Sequence, residues 1–165
     1  LRGLEVTHSN HVWCIDITYI PMAKGFLYLT AIIDVYSRYI VGWDIHNTLD
    51  AENSLNVLRK AIAVHGKPEI VNSDQGSQFT CPGWVNYLKD QEITISMDGK
   101  GRALDNTWIE RFWHTLKQEY VYICPAENGN MLRKGLNKFI DYYNNRRTHQ
   151  SLDRKTPFDW YEYAA

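Results

Sequence analysis

Three strand-like runs joined by very short connections constrain the fold of this chain more than any other feature. The runs cover residues 12–20, 26–34 and 38–46, and short turns around Gly25 and Ser37 separate them. Connections of this length favour antiparallel hairpins over crossovers. The first two runs are apolar on both faces, which is typical of central strands covered on both sides. The sequence therefore predicts that the domain begins with three antiparallel strands.

The third run has the two-residue period of a strand. Tyr39, Val41, Trp43 and Ile45 alternate with other residues along it. Successive side chains of a strand point to opposite faces of the sheet, so this period predicts that the four share one face.

Strands and helices alternate over the rest of the chain. A helix is expected from about Ala51 to His65, with Asp50 able to cap its start, and a strand follows at 69–73. Next come a helix that begins near Pro82 and a strand at 92–96. Two long helices close the chain, and their apolar positions recur at helical spacing: Ile109, Trp113, Leu116 and Tyr120 in the first, and Leu132, Leu136, Phe139 and Tyr143 in the second.

This order of elements predicts an α/β fold with a mixed five-stranded sheet, three antiparallel strands followed by two parallel ones, and helices on both faces. The crossovers are expected to be right-handed. The order of elements along the chain places the first strand centrally, with the 69–73 strand beside it. The 165 residues suffice for one domain, so we expect a single core with a C-terminal helical tail over residues 1–165. Because the chain starts at Leu1, we also expect it to be a piece of a longer protein.

Three carboxylates, Asp16, Asp74 and Glu110, are the candidate catalytic residues. Asp16 lies in the middle of an apolar strand, Asp74 follows another, and Glu110 lies on a helix-patterned segment after thirty-five intervening residues. A carboxylate among apolar side chains is costly unless its charge is compensated. Mg²⁺ prefers oxygen ligands, and two such ions about 3.5–4 Å apart can stabilise both oxygens of a phosphoryl displacement. The pattern therefore indicates a site for two divalent ions.

Each carboxylate also has a structural explanation. Asp16 could be a buried polar residue with satisfied hydrogen bonds, and Asp74 could head an ordinary Asp-Gln-Gly-Ser turn. Glu110 could complete a Thr107-x-x-Glu110 capping box. Taken singly, the structural explanation is the better one for Asp74 and Glu110. Taken together, with Asp74 and Glu110 at element boundaries, the three residues favour the metal site.

Several basic residues are candidate DNA contacts. His114 and Lys117 share a helical face with Glu110, where they can meet a phosphate backbone. Lys100 and Arg102 lie in the glycine-containing loop 97–106, which we expect to be mobile without DNA and ordered by phosphate contacts. The formal net charge of −1 does not indicate nucleic-acid binding, but two bound divalent ions would reverse its sign.

The cysteines and the hydropathy pattern bear on location. The three cysteines are far apart and form no Cys-x-x-Cys, so neither a disulfide framework nor a zinc site is indicated, and a cytoplasmic protein is expected. There is no apolar run long enough to span a membrane and no signal segment, so no membrane association is expected.

Motifs along nearly the whole chain carry a family resemblance. They are Trp13-x-x-Asp16-Ile-Thr-Tyr, Asn72-Ser-Asp74-Gln-Gly-Ser-Gln-Phe79, Ser96-Met-Asp-Gly-Lys-Gly-Arg-x-x-Asp105-Asn106, Glu110-Arg-Phe-Trp-His-Thr-Leu-Lys117 and the tail Tyr143-Asn-Asn-Arg-Arg-Thr-His-Gln-Ser151 with Thr156-Pro157. Together they resemble bacterial insertion-sequence transposases, which share the catalytic core of retroviral integrases. Their combination is far more specific than the spacing of three acidic residues alone.

The resemblance implies an RNase-H-like fold and DNA strand transfer dependent on Mg²⁺ or Mn²⁺, in which water or a DNA 3′-hydroxyl attacks a phosphodiester without a covalent enzyme intermediate. It makes Asp16, Asp74 and Glu110 the metal ligands and Lys117 a contact to DNA near the element end. Arg146 and Arg147, in the similar tail, become further candidate DNA contacts.

The resemblance also implies partners and a missing region. The partners would be transposon ends and target DNA, with a homo-oligomer assembled on the DNA. Full-length members carry a helix-turn-helix region ahead of the core, for recognising terminal repeats, and this chain does not include it.

Two other functions remain open from the sequence. One is an RNase-H-like nuclease, which would draw on a fourth acidic residue, with Asp105 and Asp34 as the nearest candidates. The other is a non-catalytic, domesticated DNA-binding or assembly module.

Overall fold

The structure, a computed structural model, describes residue 1, residues 3–98 and residues 106–162. Lys100, Arg102, Asp105 and most of the loop 97–106 lie outside the described residues. The elements in chain order are β1 (Val12–Pro21), β2 (Phe26–Asp34), β3 (Ile40–His46), α1 (Ala51–His65), β4 (Ile70–Ser73), α2 (Ser77–Thr80), α3 (Pro82–Asp90), β5 (Thr94–Met97), α4 (Thr107–Leu116), a π-helical turn (Lys117–Val121), α5 (Gly129–Asn145), a 3₁₀ turn (Gln150–Leu152) and α6 (Pro157–Glu162).

The five strands form one mixed sheet in the order β3-β2-β1-β4-β5. The hairpin pairs β1–β2 and β2–β3 are antiparallel, whereas β1–β4 and β4–β5 are parallel. The predicted sheet is therefore confirmed, with β1 in the centre and β4 beside it. Short turns produced the antiparallel pairs, and helical crossovers produced the parallel ones.

Apolar side chains on both faces of β1 explain why helices cover the sheet on both sides. Val12 and Cys14 join one buried cluster, which α4 and α5 complete. Trp13 and Ile15 point the other way, into a cluster completed by α1 and α3. The predicted cover on both faces is confirmed. None of the described helices is long and apolar enough to cross a membrane.

A β-bulge in β3 corrects the predicted alternation of that strand. Ile33 pairs with Ile40 but Ile32 pairs with Gly42, so Val41 is an extra residue opposite β2. The bulge moves later side chains to the other face. Tyr39 and Val41 therefore pack on the α1 side of the sheet, while Trp43 and Ile45 pack on the α4 side. The prediction that these four residues share one face was wrong.

Helix α1 has the predicted bounds, and Asp50 is its N-cap residue as predicted, but its side chain does not bond to the helix. The Asp50 side chain accepts a hydrogen bond from Thr48 Oγ1 at 2.7 Å and makes no cap bond to the helix. Three other boundaries also differ. Strand β5 begins after a turn in which Glu92 has a φ of 57°, α2 was not predicted, and the helix that carries Glu110 ends in a π-helical turn instead of continuing to Tyr120.

Candidate active site

The two aspartates lie at the same level on neighbouring parallel strands. The register of β1 and β4 pairs Val12 with Ile70 and ends with Cys14 opposite Asn72. Asp16 and Asp74 each follow two residues after that last pair. Because parallel strands keep their register, Asp74 leaves the end of β4 beside Asp16 on β1. The predicted proximity of these two carboxylates follows directly from the sheet.

Asp74 begins a tight turn and remains exposed. Its Oδ1 accepts a hydrogen bond from the Gly76 amide at 2.8 Å, and a Cβ built on Gly76 would lie 2.9 Å from the same oxygen. Glycine is therefore the residue that lets this carboxylate fold back so closely. Below the turn, Asn72 is fully buried and donates to Asp98 Oδ1 at 3.1 Å, which ties the end of β4 to the end of β5. The turn predicted as the structural alternative is real, and it presents the carboxylate to solvent.

Glu110 lies in the first turn of α4 and is exposed. The N-cap of α4 is Asn106, and the Glu110 amide donates to the Asn106 carbonyl at 3.1 Å. Thr107 is therefore the first helical residue, and the capping-box explanation of Glu110 is wrong because the spacing from the cap is four. A carboxylate near a helix N-terminus is stabilised by the helix dipole. No capping role accounts for Glu110.

Burial and two neighbouring carboxylates raise the pKa of Asp16 to about 6. Desolvation is the largest cause, because the side chain is half-buried between β1 and α4. Hydrogen bonds from Trp113 and from the Ile17 backbone lower the pKa, and the charges of Asp74 and Glu110 raise it. The charges of Asp74 and Glu110 therefore both act on the Asp16 carboxylate. Asp16 forms no ion pair with a described residue, although the charge of Lys117 interacts with it.

Trp113 is the site residue that the sequence did not reveal. Its indole Nε1 donates to Asp16 Oδ2 at 3.0 Å, across 97 residues of sequence. The side chain is almost fully buried, and a buried indole N–H needs an acceptor. The signal available in the sequence was a tryptophan one helical turn after Glu110, whose N–H would need an acceptor near the candidate site. The indole holds one carboxylate oxygen of Asp16.

Replacing Trp113 by Phe should raise the pKa of Asp16 above its value of about 6 in the metal-free protein, because the hydrogen bond to the charged form is lost. The pKa can be measured from the carboxyl ¹³C shift of labelled aspartate. Trp84→Phe is the matched control, since Trp84 is equally buried and its Nε1 has no partner in the described structure. An unchanged Asp16 pKa in Trp113→Phe, or an equal change in Trp84→Phe, would contradict this role.

Lys117 and His114 extend the site along α4. The Lys117 ammonium donates to Thr18 Oγ1 at 2.9 Å and lies 5.0 Å from the Tyr19 ring centroid. Thr18 follows Asp16 on the same face of β1. Burial lowers the pKa of Lys117, and the Asp16 charge partly offsets that effect. His114 is exposed one turn after Glu110, so both residues lie beside the carboxylates as their helical spacing predicted.

The two tail arginines already have acidic partners. Arg147 forms a forked ion pair with Glu119, with contacts of 2.7 and 3.0 Å. Arg146 lies 3.7 Å from Asp141 and is exposed. A DNA contact by either residue stays a prediction. Arg147 would have to exchange Glu119 for a phosphate.

The donor set fits a hard divalent cation, although the ligands are not closed around one. Among the described residues, no three His, Cys, Asp or Glu side chains lie close enough together to hold a metal ion as they stand. All three candidate donors are carboxylate oxygens, which suit Mg²⁺ and Mn²⁺. None of them forms an ion pair with a described residue, and the raised pKa of Asp16 reflects a charge that a cation would compensate.

Asp34 is not a fourth carboxylate of this site. The residue is fully buried, and its oxygens accept hydrogen bonds from the amides of Asn10 and Ser37 and from the Ser37 hydroxyl at 2.6–2.9 Å. It organises the turn between β2 and β3. A substrate cannot reach it.

Comparisons with known proteins agree on one family. A family model described as an integrase core domain matches residues 6–103, and a second model of the same description matches residues 91–157. The transposase for insertion sequence element IS904 of Lactococcus lactis is 37% identical over 96% of this chain and 64% of its own length. A transposase-like protein of Haemophilus influenzae is 32% identical over 96% of this chain and 74% of its own length. The chain thus spans somewhat less than two thirds of the IS904 relative.

Solved structures share the fold at low sequence identity. The catalytic core domain of HTLV-2 integrase, solved in complex with magnesium in a dimeric form, superposes with a TM-score of 0.76 at 21% identity and covers 97% of this chain and 99% of its own. The catalytic core domain of BIV integrase superposes with a TM-score of 0.73 at 18% identity, covering 93% of this chain and 95% of its own. Both comparisons support the RNase-H-like architecture of the sheet and its helices.

Proposed function

We infer the function of this chain from its family, because the chain belongs to the integrase core domain family. The chain is the catalytic core of an insertion-sequence transposase, and it cuts and joins DNA by metal-dependent phosphodiester transfer. The observation that carries this proposal is that Asp16 lies beside Asp74 at the ends of neighbouring parallel strands, within reach of the charges of Asp74 and Glu110, and forms no ion pair with a described residue. No single structural role accounts for all three carboxylates.

In the proposed reaction, the oxygen of a water molecule or of a DNA 3′-hydroxyl forms a bond to phosphorus while the bond to the leaving 3′-oxygen breaks. Asp16, Asp74 and Glu110 would hold one or two Mg²⁺ or Mn²⁺ ions. Bound ions of this kind supply charge stabilisation for the attacking and leaving oxygens. No covalent bond to the protein is needed.

The remaining residues of the site have positioning roles in this proposal. Trp113 fixes the orientation of the Asp16 carboxylate through the bond to its Oδ2. Lys117 lies on the same face of β1 as Asp16, where its ammonium can exchange Thr18 for a phosphate. The apolar face of α4, with Ile109, Phe112 and Leu116 buried, anchors the helix that carries Glu110 and Lys117 against the sheet.

The partners in this proposal are element-end DNA and target DNA, with a homo-oligomer assembled on them. One solved relative of the fold is an intasome of simian T-cell lymphotropic virus, with a TM-score of 0.80 at 19% identity over 92% of this chain and 54% of its own. Terminal-repeat recognition is proposed to lie in the part of full-length relatives that this chain does not cover.

A strand-transfer assay tests the proposed function against its alternatives. The protein is incubated with a labelled duplex that ends in a free 3′-hydroxyl and a supercoiled plasmid, with Mg²⁺ or Mn²⁺ or with EDTA. We expect metal-dependent joining of the label to the plasmid. Cleavage of an RNA–DNA hybrid without joining would favour a nuclease, and DNA binding without either reaction would favour a non-catalytic module.

Lys117→Ala should weaken DNA binding and reduce the salt slope of binding by about one phosphate contact, because the lost ammonium no longer releases a counterion. Cation binding without DNA should be unchanged or slightly tighter. Labelled duplex is titrated across a range of salt in EDTA, with Lys134→Ala, an exposed lysine on α5, as the control. Parent-like affinity and slope in Lys117→Ala would show that Lys117 only supports Thr18.

A further inference from the structure

A second, cationic cleft adjoins the carboxylates. It has a volume of about 440 Å³, and Glu110 and His114 form part of its wall. Arg38, Trp108 and Arg111 also line it, together with three residues from the C-terminal part of the chain: Tyr143, His149 and Ser151. None of the roles derived above uses Arg38, Trp108 or His149.

Arg38 lies in this cleft and forms no ion pair with a described residue, although the charge of the buried Asp34 helps to keep it protonated. Its guanidinium carbon is 3.4 Å from the centroid of the Trp108 ring. Its Nε is buried and makes no hydrogen bond in the described structure, and one terminal nitrogen makes only a long contact of 3.4 Å to the Tyr36 carbonyl. No described carboxylate forms an ion pair with it. Burial lowers the pKa of Arg38 to about 10, so the side chain stays charged at neutral pH.

The turn between β2 and β3 holds Arg38 in an unfavourable backbone conformation. Its φ is 67°, a region that side-chain-bearing residues rarely adopt. The buried Asp34 carboxylate fixes the turn through Asn10 and Ser37, and the Arg38 amide donates to the Asp34 carbonyl at 2.8 Å. A strained residue maintained by a buried network points to a constraint on where its side chain must lie.

A second unsatisfied nitrogen lies in the same cleft. His149 Nε2 is buried and has no hydrogen-bond partner in the described part of the chain. Burial, with Arg147 and Arg38 nearby, lowers the pKa of His149 to about 4, so its ring is neutral at pH 7 and one of its nitrogens carries a proton. Arg111 adds a third polar group, with its guanidinium carbon 5.0 Å from the Trp108 ring centroid.

We propose that this cleft binds a backbone phosphate of the DNA strand that lies across the carboxylates, with Arg38 as the principal ligand and Asp34 as its positioning residue. The inference rests on the proposed function. The Arg38 guanidinium, 3.4 Å from the Trp108 ring centroid, carries terminal N–H groups whose fork matches the oxygens of a phosphate. A stacked base is a poorer occupant, because Arg38 already covers the Trp108 ring.

DNA binding in EDTA tests this proposal separately from catalysis. Arg38→Gln should weaken binding of a labelled duplex about tenfold at low salt and lower the salt slope by about one contact. Arg38→Lys keeps the charge but loses the fork, so it should keep the slope and lose part of the affinity. Arg59→Gln is the control, since Arg59 is ion-paired with Glu52 and stacks on Tyr87 in α3. Parent-like affinity and slope in Arg38→Gln would overturn the proposal.

Crosslinking provides a second measurement that leaves Arg38 intact. In a Cys124→Ser background, Ser151→Cys should form a disulfide with DNA that carries a thiol tethered to one phosphate, and Asn56→Cys on α1 should not. Equal crosslinking at both positions would overturn the proposal. So would an Arg38→Gln variant that changes only the self-association of the protein, because the cleft would then receive a carboxylate of a second copy. Because these binding measurements are made without metal, they are independent of the joining reaction. Loss of DNA joining with Arg38-dependent binding intact would contradict the proposed function, whereas joining without Arg38-dependent binding would contradict only this inference.

Discussion

Neutralising any one of Asp16, Asp74 and Glu110 should lower the rate of DNA joining by about 10³-fold or more. Each carboxylate is proposed to hold a cation that supplies several kcal/mol of charge stabilisation, and about 4 kcal/mol corresponds to a thousandfold in rate. The variants are Asp16→Asn, Asp74→Asn and Glu110→Gln, assayed in the plasmid-joining reaction at saturating Mg²⁺. DNA binding in EDTA should not weaken, because each change removes a negative charge.

Glu92→Gln is the matched control for Glu110→Gln. Glu92 is highly exposed in the turn before β5, and its carboxylate lies 3.7 Å from Lys67. Its loss should leave joining within about twofold of the parent, since surface ion pairs contribute little. Joining at the parent rate by Glu110→Gln would show that Glu110 is not part of the catalytic site. Parent-like joining by Asp16→Asn or Asp74→Asn would exclude that aspartate in the same way.

The metal-free protein should become more stable when Asp16 is replaced by Asn. A folded-state pKa of about 6 against the ordinary 3.8 means that the charged carboxylate destabilises the fold at neutral pH, by at most about 3 kcal/mol. Asn removes the charge and still offers an oxygen to Trp113. We expect a gain of about 1–3 kcal/mol in the free energy of unfolding at pH 7.5, measured by urea denaturation in EDTA.

The gain should depend on pH in a defined direction. Because the pKa of Asp16 is higher in the folded state, the folded parent takes up a proton more readily, and its stability rises as pH falls from about 7 towards 4. The advantage of Asp16→Asn should therefore shrink over that window. Added Mg²⁺ should stabilise the parent more than the variant. A variant less stable than the parent at pH 7.5 in EDTA would contradict the account of Asp16.

Asp34→Asn provides a contrast that separates these effects from simple loss of charge. Burial raises the pKa of Asp34 as well, but both of its oxygens accept hydrogen bonds from Asn10 and Ser37. The side-chain NH₂ group of an asparagine would face one of these N–H or O–H groups, and the lost hydrogen bond should lower the free energy of unfolding by about 1–3 kcal/mol. The free energy of unfolding should therefore rise in Asp16→Asn and fall in Asp34→Asn, which distinguishes a functional carboxylate from a structural one.

Local signals in the sequence were enough to predict the strand order and the nearness of two carboxylates. Short turns fixed the antiparallel pairs, and crossovers fixed the parallel ones, so Asp16 and Asp74 had to leave adjacent strands. The bulge at Val41 escaped prediction because an extra residue in a strand leaves no periodic signal until its partner strand is known. The same limit applies to the N-cap of α4, which is Asn106 and not Thr107.

The supporting residues of the site could not be predicted because they depend on packing between distant segments. Trp113 meets Asp16 only when α4 packs on β1. Arg38 was predicted as the first residue of the third strand, and its positive φ and unsatisfied Nε exist only in the folded chain. The ion pair of Arg147 with Glu119 likewise joins residues 28 positions apart and exists only in the folded chain.

The location of bound manganese tests the central claim most directly. Crystals of the protein are soaked in Mn²⁺, and anomalous diffraction is recorded for the parent and for Asp16→Asn, with and without bound DNA. We expect an anomalous peak within about 2.0–2.3 Å of carboxylate oxygens of Asp16 and Asp74 in the parent, and its loss in Asp16→Asn. Manganese bound elsewhere, or no peak at these carboxylates even with DNA present, would contradict a metal-dependent site at Asp16, Asp74 and Glu110.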